Sequence, residues 1–238
     1  MEKNVRFQAS VFGIFSDIGL SQESMSKLYQ IYLKENMMPA IMKEFDVISQ
    51  TVKNRPNFVA NDNSISISIA SNRIDIVSDI SAADKMYEKD RFITVAQRYL
   101  QEFLEIFTVG ISRISYIEEG IIKTLNDAMD GTIRNQFLNS KHIYNCDKVF
   151  EWASNSVSLD KWNINGKTES VNMNVTTALR KMNAVSGGQP IVLNALVLTQ
   201  DLNTVAENTS ARFDYNDVVS FLHEARKKSE EIKSLTEG

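Results

Sequence analysis

The sequence predicts an α+β protein with two similar halves, each a mostly antiparallel sheet with long amphipathic helices on one face. Segments with apolar residues at every second position, typical of half-buried strands, occur on both sides of residue 120. Each group of strands is followed by a helical pattern of about 20 residues with an apolar stripe. Since such strands bury one face against helices, we expect one unit in residues 1–119 and a second in 120–238, which could also pack as one domain.

The first elements follow from their periodicity. A strand is predicted over residues 5–11, where apolar residues alternate with polar ones. Ser21 then stands where an N-cap would precede apolar residues spaced three and four apart. This spacing predicts one interrupted helical region from about residue 22 to residue 45, with Pro39 starting a new turn.

Alternating serines and isoleucines in residues 64–69 predict a strand whose isoleucines face the core. A tight connection joins it to a second alternating segment, 73–77, so the two are predicted to form an antiparallel hairpin. An apolar stripe over residues 92–107 predicts a long helix. Residues 111–117 then read as a further strand.

The second half has the same kinds of pattern. A helical stretch is predicted over about 121–138, and Asn165-Gly166 favours a type I′ hairpin turn because both residue types tolerate positive φ. Residues 191–198 are almost continuously apolar, which is typical of a strand inside a sheet. A helix over residues 214–236 closes the chain, with its apolar side expected to pack on a sheet.

Composition excludes several classes of protein. In 238 residues, 43% are hydrophobic and 24% are charged, which is typical of a globular protein that folds alone. The net charge of −4 makes nucleic acid an unexpected partner. A single cysteine excludes an intramolecular disulfide and favours a reducing compartment. The chain has no run of 18 apolar residues and no N-terminal signal pattern, so we expect a cytoplasmic protein without a membrane span.

Catalytic residue types are scarce. His142 and Cys146 stand four residues apart, but two ligands do not make a zinc site, so we expect no metal site and no cofactor. Carboxylates near strand ends are the remaining candidates, because metal-dependent phosphoryl chemistry uses clustered carboxylates at such places. Asp75, Asp79 and Asp201 are therefore the weak catalytic candidates. A single carboxylate after a strand is more often a turn residue.

Two strand arginines are candidate binding residues. Arg73 and Arg113 lie in predicted strands on either side of the long helix, each next to an isoleucine. Arginine in such a position can present a basic face to a ligand. It can equally form ordinary surface ion pairs, Arg73 with Asp75 and Arg113 with Glu118.

Four stretches of the chain resemble the sporadically distributed, uncharacterised bacterial proteins that a TIGR model defines as a family. They are the N-terminal strand with its helix, the segment from Ile67 to Ile76 with its Arg-Ile-Asp-Ile, the segment from Ile111 to Ile117 with its Tyr-Ile ending, and Leu222-His223-Glu224-Ala225 with the residues after it. Glu118 departs from the asparagine that commonly follows the Tyr-Ile pair. The resemblance implies a fold layout and a bacterial cytoplasmic origin, but no activity.

The leading hypothesis from the sequence is a non-enzymatic cytosolic interaction protein. The patchy occurrence of the family suits an accessory subunit of a bacterial mobile-element or anti-phage module. The expected partner is then another protein, encoded by a neighbouring gene, and a homo-oligomer stays open. One alternative is a metal-dependent nuclease or hydrolase built on Asp75, Asp79 and Asp201. The other is a nucleic-acid-binding protein that uses Arg73 and Arg113.

Overall fold

A computed structural model describes residues 3–47, 49–80, 86–125, 151–186 and 189–237 of the chain. In chain order its elements are β1 (Lys3–Gly13), α1 (Gln22–Tyr32), a short 3-10 helix (Leu33–Glu35), β2 (Met37–Asp46), β3 (Thr51–Ala60), β4 (Ser66–Ile69), β5 (Arg73–Asp79), α2 (Lys89–Ile106), β6 (Ile111–Leu125), β7 (Trp152–Ile164), β8 (Lys167–Ser186), β9 (Gln189–Thr204) and α3 (Tyr215–Glu237). No helix in the described part of the chain is both long enough and apolar enough to cross a membrane.

The nine strands of the described residues form one antiparallel sheet, in the order β2-β3-β4-β5-β1-β6-β9-β8-β7. β1 and β6 are neighbours in this sheet, in a register that places Ser10 opposite Ser115. The prediction of two similar halves with long helices is therefore wrong. Pairing β1 with β6 satisfies backbone groups that would be exposed edges in two separate sheets. The predicted boundary at residues 119 and 120 falls within β6.

The region expected to be helical from residue 22 to residue 45 is helical only up to residue 35 and is a strand from residue 37 onward. α1 ends at Tyr32 and the 3-10 helix at Glu35, and the next residue, Asn36, has a φ of 57° in the left-handed region. The chain then enters β2, which pairs along its length with β3. Pro39 cannot donate a helical hydrogen bond, and it is tolerated in β2 because β2 is an edge strand. Pairing across strands overrides the local helical spacing here.

A second helix prediction, over residues 121–138, is wrong at its start. β6 continues to Leu125 and pairs with β9 through a register shift between Ile121 and Lys123. The remainder of that prediction lies outside the described residues. The Asn165-Gly166 turn is confirmed, with φ of 51° and 81° at the two residues, as a type I′ turn requires.

The three α-helices of the described residues pack on one face of the sheet. Phe7 of β1 stacks on Phe92 of α2 with ring centroids 5.4 Å apart, and Trp162 of β7 meets Phe221 of α3 at 5.5 Å. Tyr32 of α1 contacts Phe58 of β3 at 4.8 Å. A continuous cluster of buried apolar residues runs through all of these elements.

The predicted inward faces are largely confirmed. Ile65, Ile67 and Ile69 are buried, while Ser66 and Ser68 are half-buried on the other side. Ser64 is buried, contrary to the alternation, because it lies in the turn before β4 and bonds Asp62. The predicted apolar positions of the closing helix are also buried, namely Val218, Phe221, Leu222 and Ala225.

The N-terminus of α3 is tied to the sheet by Asp217. The carboxylate of Asp217 accepts from the Asp214 backbone N–H at 2.9 Å and pairs with Lys167 of β8 at 2.5 Å. It also accepts from Asn165 Nδ2 at 3.2 Å. Burial alone would raise the pKa of Asp217, but the hydrogen bonds from Lys167, Asp214 and Asn165 outweigh it and hold the pKa below its ordinary value.

A candidate binding face on the open side of the sheet

The side chains that point away from the helices form the second face of the sheet, called here the open face. In β1, residues Phe7, Ala9 and Val11 turn to the helices, so Gln8, Ser10 and their alternate neighbours turn to the open face. Among the described residues, no helix packs on this side. Polar side chains predominate at its centre.

The strand register aligns polar residues into one row across seven strands. We call this set the polar row; from β3 to β8 its members are Asn57, Ser68, Asp75, Ser10, Ser115, Asn203 and Asn172. The row ends at Leu159 of the edge strand β7, which lies opposite Asn172. Opposed residues of antiparallel strands have Cβ atoms about 5 Å apart, so even these short side chains can hydrogen-bond across strands.

Asp75 is the acceptor at the centre of the first part of the row. Its Oδ1 accepts from Ser10 Oγ at 2.7 Å and from Gln8 Nε2 at 3.2 Å. Its Oδ2 lies 2.8 Å from Nε of Arg73. Gln8 in turn accepts a hydrogen bond from Arg6. Asp75 is 8% exposed, so its orientation is fixed by these neighbours rather than by solvent.

Asp201 is the central acceptor of a second hydrogen-bonded network. Its Oδ1 accepts from Ser115 Oγ at 3.3 Å and from Asn203 Nδ2 at 3.1 Å. Asn203 Oδ1 accepts from Arg113 Nη2 at 3.0 Å. Nε of Arg113 and Oδ1 of Asn174 are buried without a hydrogen-bond partner among the described residues. The face therefore keeps an unused donor and an unused acceptor beside its fixed groups.

The two arginines singled out from the sequence lie on this face. Arg73 and Arg113 both stand opposite Phe12, one on β5 and the other on β6. Two strand spacings, about 10 Å, separate them. The Arg113 guanidinium lies over the Phe12 ring, 4.6 Å from its centroid. Arg73 pairs with Asp75, as the ion-pair alternative predicted. Arg113 does not pair with Glu118, because Glu118 is buried on the opposite, helix-facing side of the sheet.

A cleft of about 530 Å³ lies at the end of the open face, next to Phe12. Its walls come from the end of β1, the turn before β5, the start of β6 and the loop after β9, with Ile14, Asn72 and Thr209 among the lining residues. Arg212 braces the loop, because its guanidinium donates to the Asn208 carbonyl oxygen at 2.6 Å and to that of Ser112. Hydrogen bonds from Arg212 to the backbone therefore fix the position of the loop that forms one wall of the cleft.

Two glycines set how closely these backbones approach. A Cβ on Gly13 would lie 2.3 Å from the Gly110 carbonyl oxygen, and a Cβ on Gly110 would lie 2.4 Å from the Cβ of Ala211. Both separations are far below van der Waals contact. Any larger residue at either position would force the cleft walls apart.

The three candidate carboxylates do not meet. Asp75 on β5 and Asp201 on β9 are three strand spacings apart, about 14 Å. Asp79 ends β5, four residues or about 13 Å along the strand from Asp75. No group of three metal-ligating side chains occurs within the described ranges. One divalent ion cannot bridge all three, although each carboxylate can still act in binding.

Of the histidines and the cysteine, His223 is the one that the structure describes, and it does not lie on the open face. His223 is exposed on α3, next to the exposed Glu224. His142 and Cys146 lie outside the described residues.

A buried polar cluster on the helix side was not predicted from the sequence. Glu118, 1% exposed, accepts from Lys89 Nζ at 2.8 Å, from Tyr116 Oη at 3.2 Å and from Ser229 Oγ. The pKa of Tyr116 is raised well above its ordinary value, mainly by burial and also by the nearby Glu118 carboxylate. Gln200, opposite Glu118 on β9, is fully buried. Only the pairing of β6 with β9 and the packing of both long helices bring these residues together, so no local pattern could reveal them.

No protein-family model matches the chain, and no curated protein matches it. Among solved structures, the chain is similar to the rolling circle replication initiator protein from Geobacillus stearothermophilus, with 10% sequence identity and a TM-score of 0.32, over 93% of this chain and 78% of that one. A likeness this weak carries no argument about fold or function. The resemblance to sporadically distributed bacterial proteins stays a prediction.

Proposed function

We propose that this chain is a non-enzymatic binding protein that docks a partner protein on the open face of its sheet. The observation that supports this is the polar row, whose donors and acceptors are held in hydrogen-bonded networks around Asp75 and Asp201. Groups already fixed in place lose little conformational entropy when a partner binds. A face of this kind is suited to recognition.

Mixed charge favours a protein over a polyanion as the occupant. Arg73 and Arg113 alternate with Asp75 and Asp201 across the face. A partner protein can offer complementary groups of both signs, which fixes the docking register. Nucleic acid would gain from the arginines but would place phosphates near the carboxylates, and phosphate contacts dominate its affinity. The net charge of −4 acts in the same direction.

Site-specific photo-crosslinking in the natural host tests the proposal. A photoreactive residue at Ser66 or at Asn172 would report on two strands of the open face, and one at Thr94, exposed on α2, serves as the control. Both open-face positions should yield an adduct with the same protein, whereas Thr94 should not. No adduct from the open face, or the same adduct from all three positions, would contradict the proposal.

A matched pair of arginine variants sharpens this test. Arg113→Ala removes the guanidinium that stacks on Phe12 and bonds Asn203, and it should lower the adduct yield several-fold. Arg98→Ala removes an exposed arginine that pairs with Glu35 on the helix side, and it should leave the yield unchanged. Equal effects of the two substitutions would mean that the open face is not the docking surface.

One observation favours a second candidate, the binding of single-stranded nucleic acid. Arg73, Phe12 and Arg113 form a row in which an aromatic ring stands between two cations, and such rows stack bases in strand-binding sheets. Fluorescence anisotropy with labelled DNA and RNA oligonucleotides distinguishes the candidates. Binding that weakens steeply between about 50 and 200 mM salt and is lost in Arg113→Ala would favour this candidate over the protein partner.

A further inference from the structure

We propose that β7 is the surface through which two copies of this chain associate, edge to edge, so that their sheets become one continuous sheet. The proposal concerns the rim of the sheet and stands whether or not the open face binds another protein. It rests on the exposure of β7, on the charges of the two edge strands, and on a self-complementary register.

β7 is an edge strand, and no strand in the described part of the chain pairs with its outer side. It is the last strand of the sheet, and residues 153–159 are all exposed. The thirteen-residue strand contains no proline, and its only charged residues are the neighbours Asp160 and Lys161. The opposite edge, β2, contains Pro39 and a charged segment, Lys43 and Glu44, which are ordinary devices against strand pairing. An edge with free N–H and C=O groups and few charges is a template for another strand.

Two exposed apolar side chains lie at the middle of this strand. Val157 is 66% exposed and Leu159 is 62% exposed, and both point to the open face. If two β7 strands pair antiparallel around a two-fold axis at Ser158, Val157 of one copy stands directly opposite Leu159 of the other. The same axis creates this contact twice. Side chains that are exposed in one copy are thereby covered by the second copy.

The rest of the register is also compatible. On the helix side, the small Ser154 stands opposite Trp162 of the second copy, and Ser156 stands opposite Asp160, to which its hydroxyl can donate. On the open face, Asn155 stands opposite Lys161. No like charges meet. Because opposed residues in an antiparallel pair share a face, every one of these contacts lies on the correct side of the joined sheet.

Sedimentation velocity of the full chain, with two edge variants, is the first test. The unmodified chain should be a dimer in reversible equilibrium with monomer. Val157→Glu places two carboxylates in the interface and should raise the dissociation constant at least about tenfold, which corresponds to 1.4 kcal/mol. The control is Ile41→Glu on β2, where the native side chain is similarly exposed at 62%. It should leave the dissociation constant unchanged.

Circular dichroism melting of each variant shows whether it is folded. A monomeric unmodified chain would overturn the proposal. A folded Val157→Glu variant that stays dimeric would also overturn it. So would an Ile41→Glu variant that dissociates as readily as Val157→Glu.

Cysteine cross-linking tests the register itself, in a Cys146→Ser background. Ser158 stands opposite its own copy on the axis, where Cα atoms are about 4.5 to 5.5 Å apart, within the range a disulfide spans. Ser158→Cys should therefore form a covalent dimer on mild oxidation. The two Ser156→Cys positions would be four residues out of register, about 13 Å apart, and should not. Equal cross-linking of both variants, or cross-linking through position 156 alone, would overturn the proposal.

Discussion

Replacing Lys89 by methionine should destabilise the protein by about 3 to 5 kcal/mol, the usual cost of removing one partner of a buried ion pair. Lys89 Nζ lies 2.8 Å from the Glu118 carboxylate, and the two side chains are only 11% and 1% exposed. Methionine fills similar space but carries no charge. The Glu118 carboxylate would then keep only the hydroxyl groups of Tyr116 and Ser229 as donors.

The magnitude can be measured by urea denaturation and by melting temperature. For a chain of this length, each kcal/mol corresponds to roughly 2 to 4 °C, so the variant should melt about 6 to 20 °C lower. The control is Lys27→Met, which removes a pair with Glu23, a side chain that is 81% exposed. Exposed pairs contribute at most about 1 kcal/mol, so the control should change little.

A double variant separates the buried charge from lost packing. Lys89→Met together with Glu118→Gln leaves no charge in the pair, so it should recover much of the stability lost in Lys89→Met alone. A loss in Lys89→Met no larger than in the Lys27→Met control would refute the reasoning. The reasoning would also be refuted if the double variant lost as much stability as the two single variants lose together.

Three further predictions concern the core and the closing helix. Ile67→Ala should cost about 2 to 5 kcal/mol in urea denaturation, as a large-to-small change at a fully buried position, whereas a loss below 1 kcal/mol would mean a loosely packed core. Asp217→Asn should destabilise the protein near pH 7. Because the folded pKa of Asp217 is lowered, the difference from wild type should begin to shrink as the pH falls below the ordinary value of about 3.9, and it should be lost only below the folded pKa; a constant difference would contradict this. Truncation at Asp214 should unfold the protein in a melting experiment because it removes buried apolar side chains, while charge reversal at Lys227 and Lys233 should hardly change the melting temperature; equal small losses would make the helix a detachable tail.

Local patterns were enough to predict the strands, turns and helices whose signals are short in range. The alternation in residues 64–69, the Asn165-Gly166 turn and the apolar stripes of α2 and α3 all lie within single elements. The region expected to be helical up to residue 45 shows the limit, because β2 depends on hydrogen bonds to β3 that no helical spacing reports. The same applies to the overall architecture, since alternation does not say which strands are neighbours.

The candidate site was predictable only in part. Arg73 and Arg113 stand out in the sequence because arginine next to isoleucine is uncommon in a strand, and both lie on the open face. Nothing local shows that Phe12 lies between them, or that Asn203 accepts from Arg113. These contacts depend on the register of strands that are distant in sequence.

The pairing of β1 with its two neighbours has a consequence for how the chain acquires its structure during synthesis. The Ser10 hydroxyl donates a hydrogen bond to Asp75, 65 residues away in the sequence. The Ser112 hydroxyl donates one to the Phe12 carbonyl oxygen, 100 residues away. The β2–β5 meander consists of short-range hairpins, which form early. β1 emerges from the ribosome before the other eight described strands, yet its second edge has no partner until β6 is made. Folding should therefore be slow for a chain of this size. Until β6 is available, the nascent chain exposes the unpaired edge of a strand with apolar side chains, which suits capture by a chaperone.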